Sequence, residues 1–143
     1  MAVPSRTLRA ARRSTGSYLD AVTSVLSAPR RSKPTGGAAT DQVGGTALAQ
    51  LVNQAAELAQ NGQRVVGRPR VVSSVVTGRT VDPPTLTLAV CLDNSAVRVL
   101  DAQGTPLPRN PTADRPTRNI LTLAQRAGRW VVVDQGFPDD PDC

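Results

Sequence analysis

At 143 residues, with one Phe, one Trp and one Tyr, the chain has room for one core, which must be built from Val, Leu and Ala. It has no histidine and only two cysteines, far apart in sequence, which removes the commonest general base and leaves no ligand set for a structural zinc. The net charge of +6 is confined to residues 1–33, where Arg6, Arg9, Arg12, Arg13, Arg30, Arg31 and Lys33 face a single acid, Asp20, while the rest of the chain is balanced.

Residues 1–14 read as a basic N-terminal arm and residues 15–143 as one domain. Such an arm seeks an acidic patch on a neighbouring subunit, an acidic membrane surface or nucleic acid. Tyr18, Leu19, Val22, Val25 and Leu26 follow helical spacing and predict a helix from about Ser17 to Ser27. Pro4 is also placed to open a longer helix at its first turn, with Gly16 as a weak point within it. Pro29 stops this helix, and residues 28–45, rich in Pro, Gly and small polar residues, read as a loop.

A second helix is expected from Thr46, a residue suited to the N-cap. Leu48, Leu51, Val52, Ala55, Leu58 and Ala59 form its apolar stripe, and Asn61-Gly62 ends it. Beyond Gly62 the period changes to two. Residues 63–66 and 70–77 read as strands, followed by a turn near Gly78 and the Asp82-Pro83-Pro84 break. From residue 86 to 100 a third run places Leu86, Leu88, Val90 and Leu92 on one face and Thr85, Thr87, Ala89, Cys91 and Asp93 on the other. Asn94-Ser95 is a turn or bulge within it. A turn at Asp101-Ala102-Gln103-Gly104 and a Pro-rich loop lead to a last hairpin, residues 118–125 and 130–134.

Helices followed by strands indicate an α+β domain, with N-terminal helices packed on one face of a curved antiparallel sheet. Such a sheet offers a concave pocket. No run of 18 apolar residues occurs, so no membrane span is expected. No apolar stretch of signal-peptide length follows the basic N-terminus, so export by the ordinary secretory route is not expected.

The ordered set Val90-Cys91-Leu92-Asp93, Asp101-Ala102-Gln103-Gly104, Arg118-Asn119-Ile120-Leu121, Gly128-Arg129-Trp130-Val131-Val132 and Cys143 resembles the nuclear transport factor two-like (cystatin-like, SnoaL-like) superfamily. It is most similar to small actinobacterial envelope proteins of that fold, over roughly residues 15–143. The resemblance implies a cone-shaped α+β fold. The high use of Ala, Val, Arg and Pro suits a high-GC actinobacterial genome or one of its phages. Two departures stand out: the export signal or lipobox of the envelope members is missing, and an arginine-rich segment is present. Both fit a phage structural protein or another assembly subunit.

The family-like positions of Cys91 and Cys143 imply a disulfide that pins the acidic tail (Asp139, Asp140, Asp142) to the sheet; two free thiols are the alternative. SnoaL-like enzymes use a pocket Asp, which makes Asp93, Asp134 and Trp130 the pocket candidates. With no histidine to partner either Asp, turn capping is the simpler role for Asp93, and core packing for Trp130. Arg118, Arg126 and Arg129 lie near the last hairpin, where pairing with the acidic tail is expected. No phosphate loop is present: Gly36-Gly37 and Gly44-Gly45 lack the flanking strand and the Lys-Ser/Thr pair.

These observations favour a non-enzymatic structural or assembly subunit, in concrete form a virion component of an actinobacterial phage. It would need no cofactor and would bind protein subunits through Arg6, Arg9, Arg12 and Arg13. Nucleic acid is a less favoured partner, because aromatic residues do not interleave with the basic ones. The alternatives are an envelope or transfer-apparatus accessory domain, and a SnoaL-like small-molecule enzyme or binder.

Overall fold

Helix α1 spans Ser5–Ser27 in a computed structural model that describes residues 3–31 and 41–143. The longer helix opened by Pro4 is therefore the one formed, and the Leu8 amide donates to the Pro4 carbonyl at 3.0 Å. This differs from a separate arm over residues 1–14. The helix crosses that boundary unbroken, and Ala11 (0 % exposed) and Thr15 (2 %) are core residues on either side of it. The reason lies in spacing: Ala11, Thr15, Tyr18, Leu19, Val25 and Leu26 recur at helical steps and bury one stripe. Gly16 costs the helix interior about 1 kcal/mol relative to Ala, too little to break a helix anchored on both sides. Lys33, Gly36 and Gly37, with half of the loop expected over 28–45, lie outside the described residues.

Helix α2 spans Gly45–Gln60 and buries Ala47, Leu51, Ala55 and Leu58. Its N-cap is Gly44 rather than Thr46, which lies within the first turn. The Thr46 hydroxyl instead donates to the Val133 carbonyl at 3.2 Å and to Asp134 Oδ1, tying the helix start to a strand. Gly45 is required here: its φ is +52°, and a Cβ would lie 2.6 Å from the Val133 carbonyl oxygen. The end matches the expectation from Asn61-Gly62. The Gly62 amide donates to the Ala59 carbonyl (3.2 Å) and the Gln63 amide to the Leu58 carbonyl (2.8 Å), the paired bonds of a Schellman motif.

Six strands follow: β1 (Arg64–Val66), β2 (Arg70–Thr80), β3 (Thr85–Asp93), β4 (Arg98–Leu100), β5 (Thr117–Arg126) and β6 (Arg129–Gly136). The main sheet is antiparallel in the order β2-β3-β5-β6, and β1 pairs only with β4. Two strand expectations change. β2 runs on through Gly78, which pairs with Thr87, to Thr80, with a register irregularity between Val76 and Gly78 that leaves Thr77 without a register partner. The run from 86 to 100 splits, because a turn closed by the Val97 amide on the Asn94 carbonyl (2.9 Å) sends β4 to the second ladder.

The core lies between the helices and the inner face of the sheet. Leu86, Leu88 and Val90 of β3, Leu123 of β5 and Val132 of β6 are all 0 % exposed. Side chains of this size release roughly 1.5–3 kcal/mol each when fully buried. They fill the helix-facing side of the sheet, where a pocket was expected. The helices sit off-centre: both contact β6, and α1 also contacts β1. Strand β2, at the far edge, keeps Val71 37 %, Val72 48 % and Val75 59 % exposed.

Candidate interaction surface

Arg6, Arg9, Arg12 and Arg13 occupy the exposed side of α1. The only acid on this helix, Asp20, pairs with Arg68 at 2.5 Å. The other ion pairs among the described residues join Arg70 to Asp93, Arg109 to Asp114 and Arg129 to Asp41, so none engages the four α1 arginines. A core-anchored helix thus holds uncompensated positive charge in a fixed row. Holding the backbone beneath four charges in place removes the backbone part of the ordering cost that a flexible arm would meet on binding.

A cleft opens on each side of this row. On the β2 side, about 330 Å³ is bordered by Arg12, Thr15, Gly16, Val71, Ser73 and Ser74. The Ser74 Oγ is shielded from solvent with no hydrogen-bond partner among the described residues, an unusual state for a buried hydroxyl. On the hairpin side, about 350 Å³ is bordered by residues that include Arg13, Ser17, Asp41, Arg129 and Trp130. Trp130 is half-buried against the core and forms part of that wall.

The three pocket candidates are not brought together. Asp93 ends β3 beside β2, Asp134 pairs with Thr122 on the opposite edge strand, and Trp130 opens that strand opposite Gln125. Asp93 accepts the Ser95 amide at 2.9 Å and an Arg70 Nη2 bond at 2.9 Å. The Ser95 hydrogen bonds, and then Arg70, hold its carboxyl down at about 2, so it stays ionised and caps the turn. Asp134 is exposed and receives the Thr46 hydroxyl. Held at about 2, the Asp93 carboxyl does not serve as a general acid.

One buried polar relay was not foreseen from the sequence. The Tyr18 hydroxyl donates to Gln135 Oε1 at 3.2 Å, and the Gln135 amide donates to Asn119 Oδ1 at 2.9 Å. The Asn119 amide in turn donates to the Thr117 carbonyl at 3.3 Å. Burial pushes the Tyr18 phenol up to about 12, so it remains protonated and only donates. Amides and a neutral phenol offer no base, and the relay's role is to satisfy polar groups where helix meets sheet.

Cys91 and Cys143 are joined in a disulfide, with their Cα atoms 6.1 Å apart. The tail is held further by the Arg118 amide, which donates to the Pro141 carbonyl at 2.7 Å, and by a bridge between Thr117 and Asp142. Its carboxylates make no ion pair among the described residues; Arg129, expected near them, pairs with Asp41. Phe137, just after β6, is 70 % exposed. Phe137, Ser73 and Ser74 drew no attention in sequence, although a Ser-Ser pair interrupting the valines of β2 is a visible irregularity, and Gly16 was singled out only as a weak point of the helix.

Among the described residues no group of three His, Cys, Asp or Glu side chains is placed to hold a metal, and no helix is long and apolar enough to cross a membrane.

Two helices on one face of an antiparallel sheet, with a short second ladder beside it, define an α+β domain. No protein-family model and no curated protein matches the chain. Among solved structures, its fold is similar to the intermembrane space region of the chloroplast protein ARC6, with a TM-score of 0.53 over 95 % of this chain and 97 % of that one. At 15 % identity the likeness is one of fold.

Proposed function

We propose that this chain is a non-enzymatic assembly subunit that docks on neighbouring protein through the arginine row of α1. The observation that carries this reading is the row itself: four exposed arginines on a helix locked into the core, with no ion-pair partner among the described residues. Solvated charge alone would serve on a flexible segment. A rigid row flanked by two clefts suits a complementary acidic surface. The concrete setting we propose is the virion of an actinobacterial phage, on a nuclear transport factor two-like scaffold. The candidate catalytic carboxylates support no competing enzymatic reading, since Asp93 caps a turn and Asp134 anchors α2.

The test is the native mass of the intact chain and of a variant with Arg6, Arg9, Arg12 and Arg13 all changed to Gln, measured by light scattering. A defined assembly that falls to monomer in the variant is the expected result. Monomers in both would sink self-assembly through this face.

A second reading rests on the disulfide. A tail locked by Cys91–Cys143 favours an oxidising compartment, and so an envelope or transfer-apparatus accessory domain. Thiol labelling of the protein in its native source separates the two: free thiols would remove the support for an envelope location.

A further inference from the structure

We propose that Phe137, Asp139 and Asp140 of one copy seat on the cleft between α1 and β2 of a second copy, joining copies head to tail. This deepens the assembly reading above and rests on it. Both halves of the contact are on the same chain, and among the described residues neither Arg12 nor the Asp139 and Asp140 carboxylates make an ion pair.

The inserting half is the tail. Phe137 is the sole Phe of the chain and is 70 % exposed. Two prolines, Pro138 and Pro141, restrict the backbone around the aspartates. The Cys91–Cys143 disulfide and the Arg118–Pro141 backbone bond fix the far end. The segment is therefore presented in a set position, which reduces the ordering cost of binding.

The receiving half is the cleft of about 330 Å³. Val71 gives it an apolar wall, and Gly16 leaves room: a Cβ there would meet only Arg68 Nη2, at 3.7 Å. Arg12 stands at its border, and Arg9 lies one helical turn before it. An aromatic ring in the cleft would put the two aspartates that follow within reach of these guanidinium groups. An aromatic anchor beside charged pairs is a common arrangement of interface hot spots.

Topology decides that the contact joins two molecules. The cleft lies on β2 and Phe137 follows β6, the two opposite edges of the sheet. Three strand spacings, about 14 Å, separate the two edges, and the Cys91 disulfide holds the tail against the face of β3 opposite its Leu86, Leu88, Val90 and Leu92 core face, whereas the cleft lies on the helix side. A contact made from two different patches is heterologous, so it repeats into a ring or a filament.

The experiment is sedimentation equilibrium over a wide concentration range on the intact oxidised chain, on Phe137→Ala and on Arg12→Glu. Both substituted residues are exposed, and circular dichroism and the melting temperature confirm folding. Each variant is expected to weaken self-association at least about tenfold. An equimolar mixture is expected to form a dimer and stop there, since only one good cleft and one good tail remain. Gly16→Leu, which fills the cleft, is expected to behave as Arg12→Glu. Assembly of Phe137→Ala equal to that of the parent overturns this contact and leaves the assembly reading intact. So does a mixture that stays monomeric while the parent assembles. A parent that is monomeric throughout overturns both.

Discussion

Single residues set two pH limits of this protein. Tyr18 is the only tyrosine, so its ionisation can be followed directly by ultraviolet absorbance. Burial raises its pKa from 10.0 to about 12 in the folded state. A raised folded value means the stabilisation is complete below pH 10 and is lost as pH climbs towards 12. Tyrosinate absorbance should therefore appear near pH 12 while the fold persists, and near pH 10 once it is lost. Tyr18→Phe should flatten stability across that window, at a cost of about 1 kcal/mol for the bond to Gln135. Asp93 works in the opposite direction. Its carboxyl is held at about 2, below the ordinary 3.8, so its contribution is present above pH 4 and fades as pH falls towards 2. Asp93→Asn should reduce the slope of urea-measured stability between pH 4 and 2; an unchanged slope would contradict the turn-capping role.

The helix is the scale at which arm and domain are told apart. Deleting residues 1–14 should not release a monomer of unchanged stability, because it removes Ala11 from the core and cuts α1 nearly in half. A loss of at least about 3 kcal/mol is expected from the lost burial, measured by urea titration. An unchanged midpoint would restore the arm. Gly16→Ala is expected to act in the opposite sense, adding about 0.5–1 kcal/mol, because its helical backbone and open surroundings accept a Cβ. The sheet shows the same dependence on context. Alternation from Leu86 to Leu92 was legible because one face of β3 is buried against the helices. The departure of β4 was not, since a three-residue strand carries too few alternations to reveal its partner.

At the scale of the whole molecule, the disulfide closes a sequence separation of 52 residues and ties the C-terminus to β3. Loop-closure entropy gives it about 4 kcal/mol of stabilisation. Cys143→Ser should lower stability by up to that amount in chemical denaturation. If the tail carries the contact between copies, the same variant should also weaken self-association, because Phe137 and the aspartates lose their fixed position. A variant that is less stable yet assembles as before would show that the tether serves the fold alone. The molecule is also polarised: among the described residues, arginines without an ion pair lie along α1 and carboxylates without an ion pair lie in the tail. Assembly through these groups should weaken as salt rises towards a Debye length of about 3 Å at 1 M.

Sequence periodicity by itself determined the α+β class, the apolar stripes of both helices, the glycine end of α2 and the buried face of β3. Each depends on residues within a few positions of one another, at steps of 3.6 or 2. Tertiary structure alone decided the rest. The arginine segment became the rigid outer face of a core helix because Ala11 and Thr15 found a sheet to pack against. Thr46 became a tie to β6 because Val133 and Asp134 lie beside the start of α2. The α1–β2 cleft and the exposure of Phe137 depend on strand order, which places β2 and β6 at opposite edges through pairings between residues far apart in the chain. No local pattern encodes such pairings.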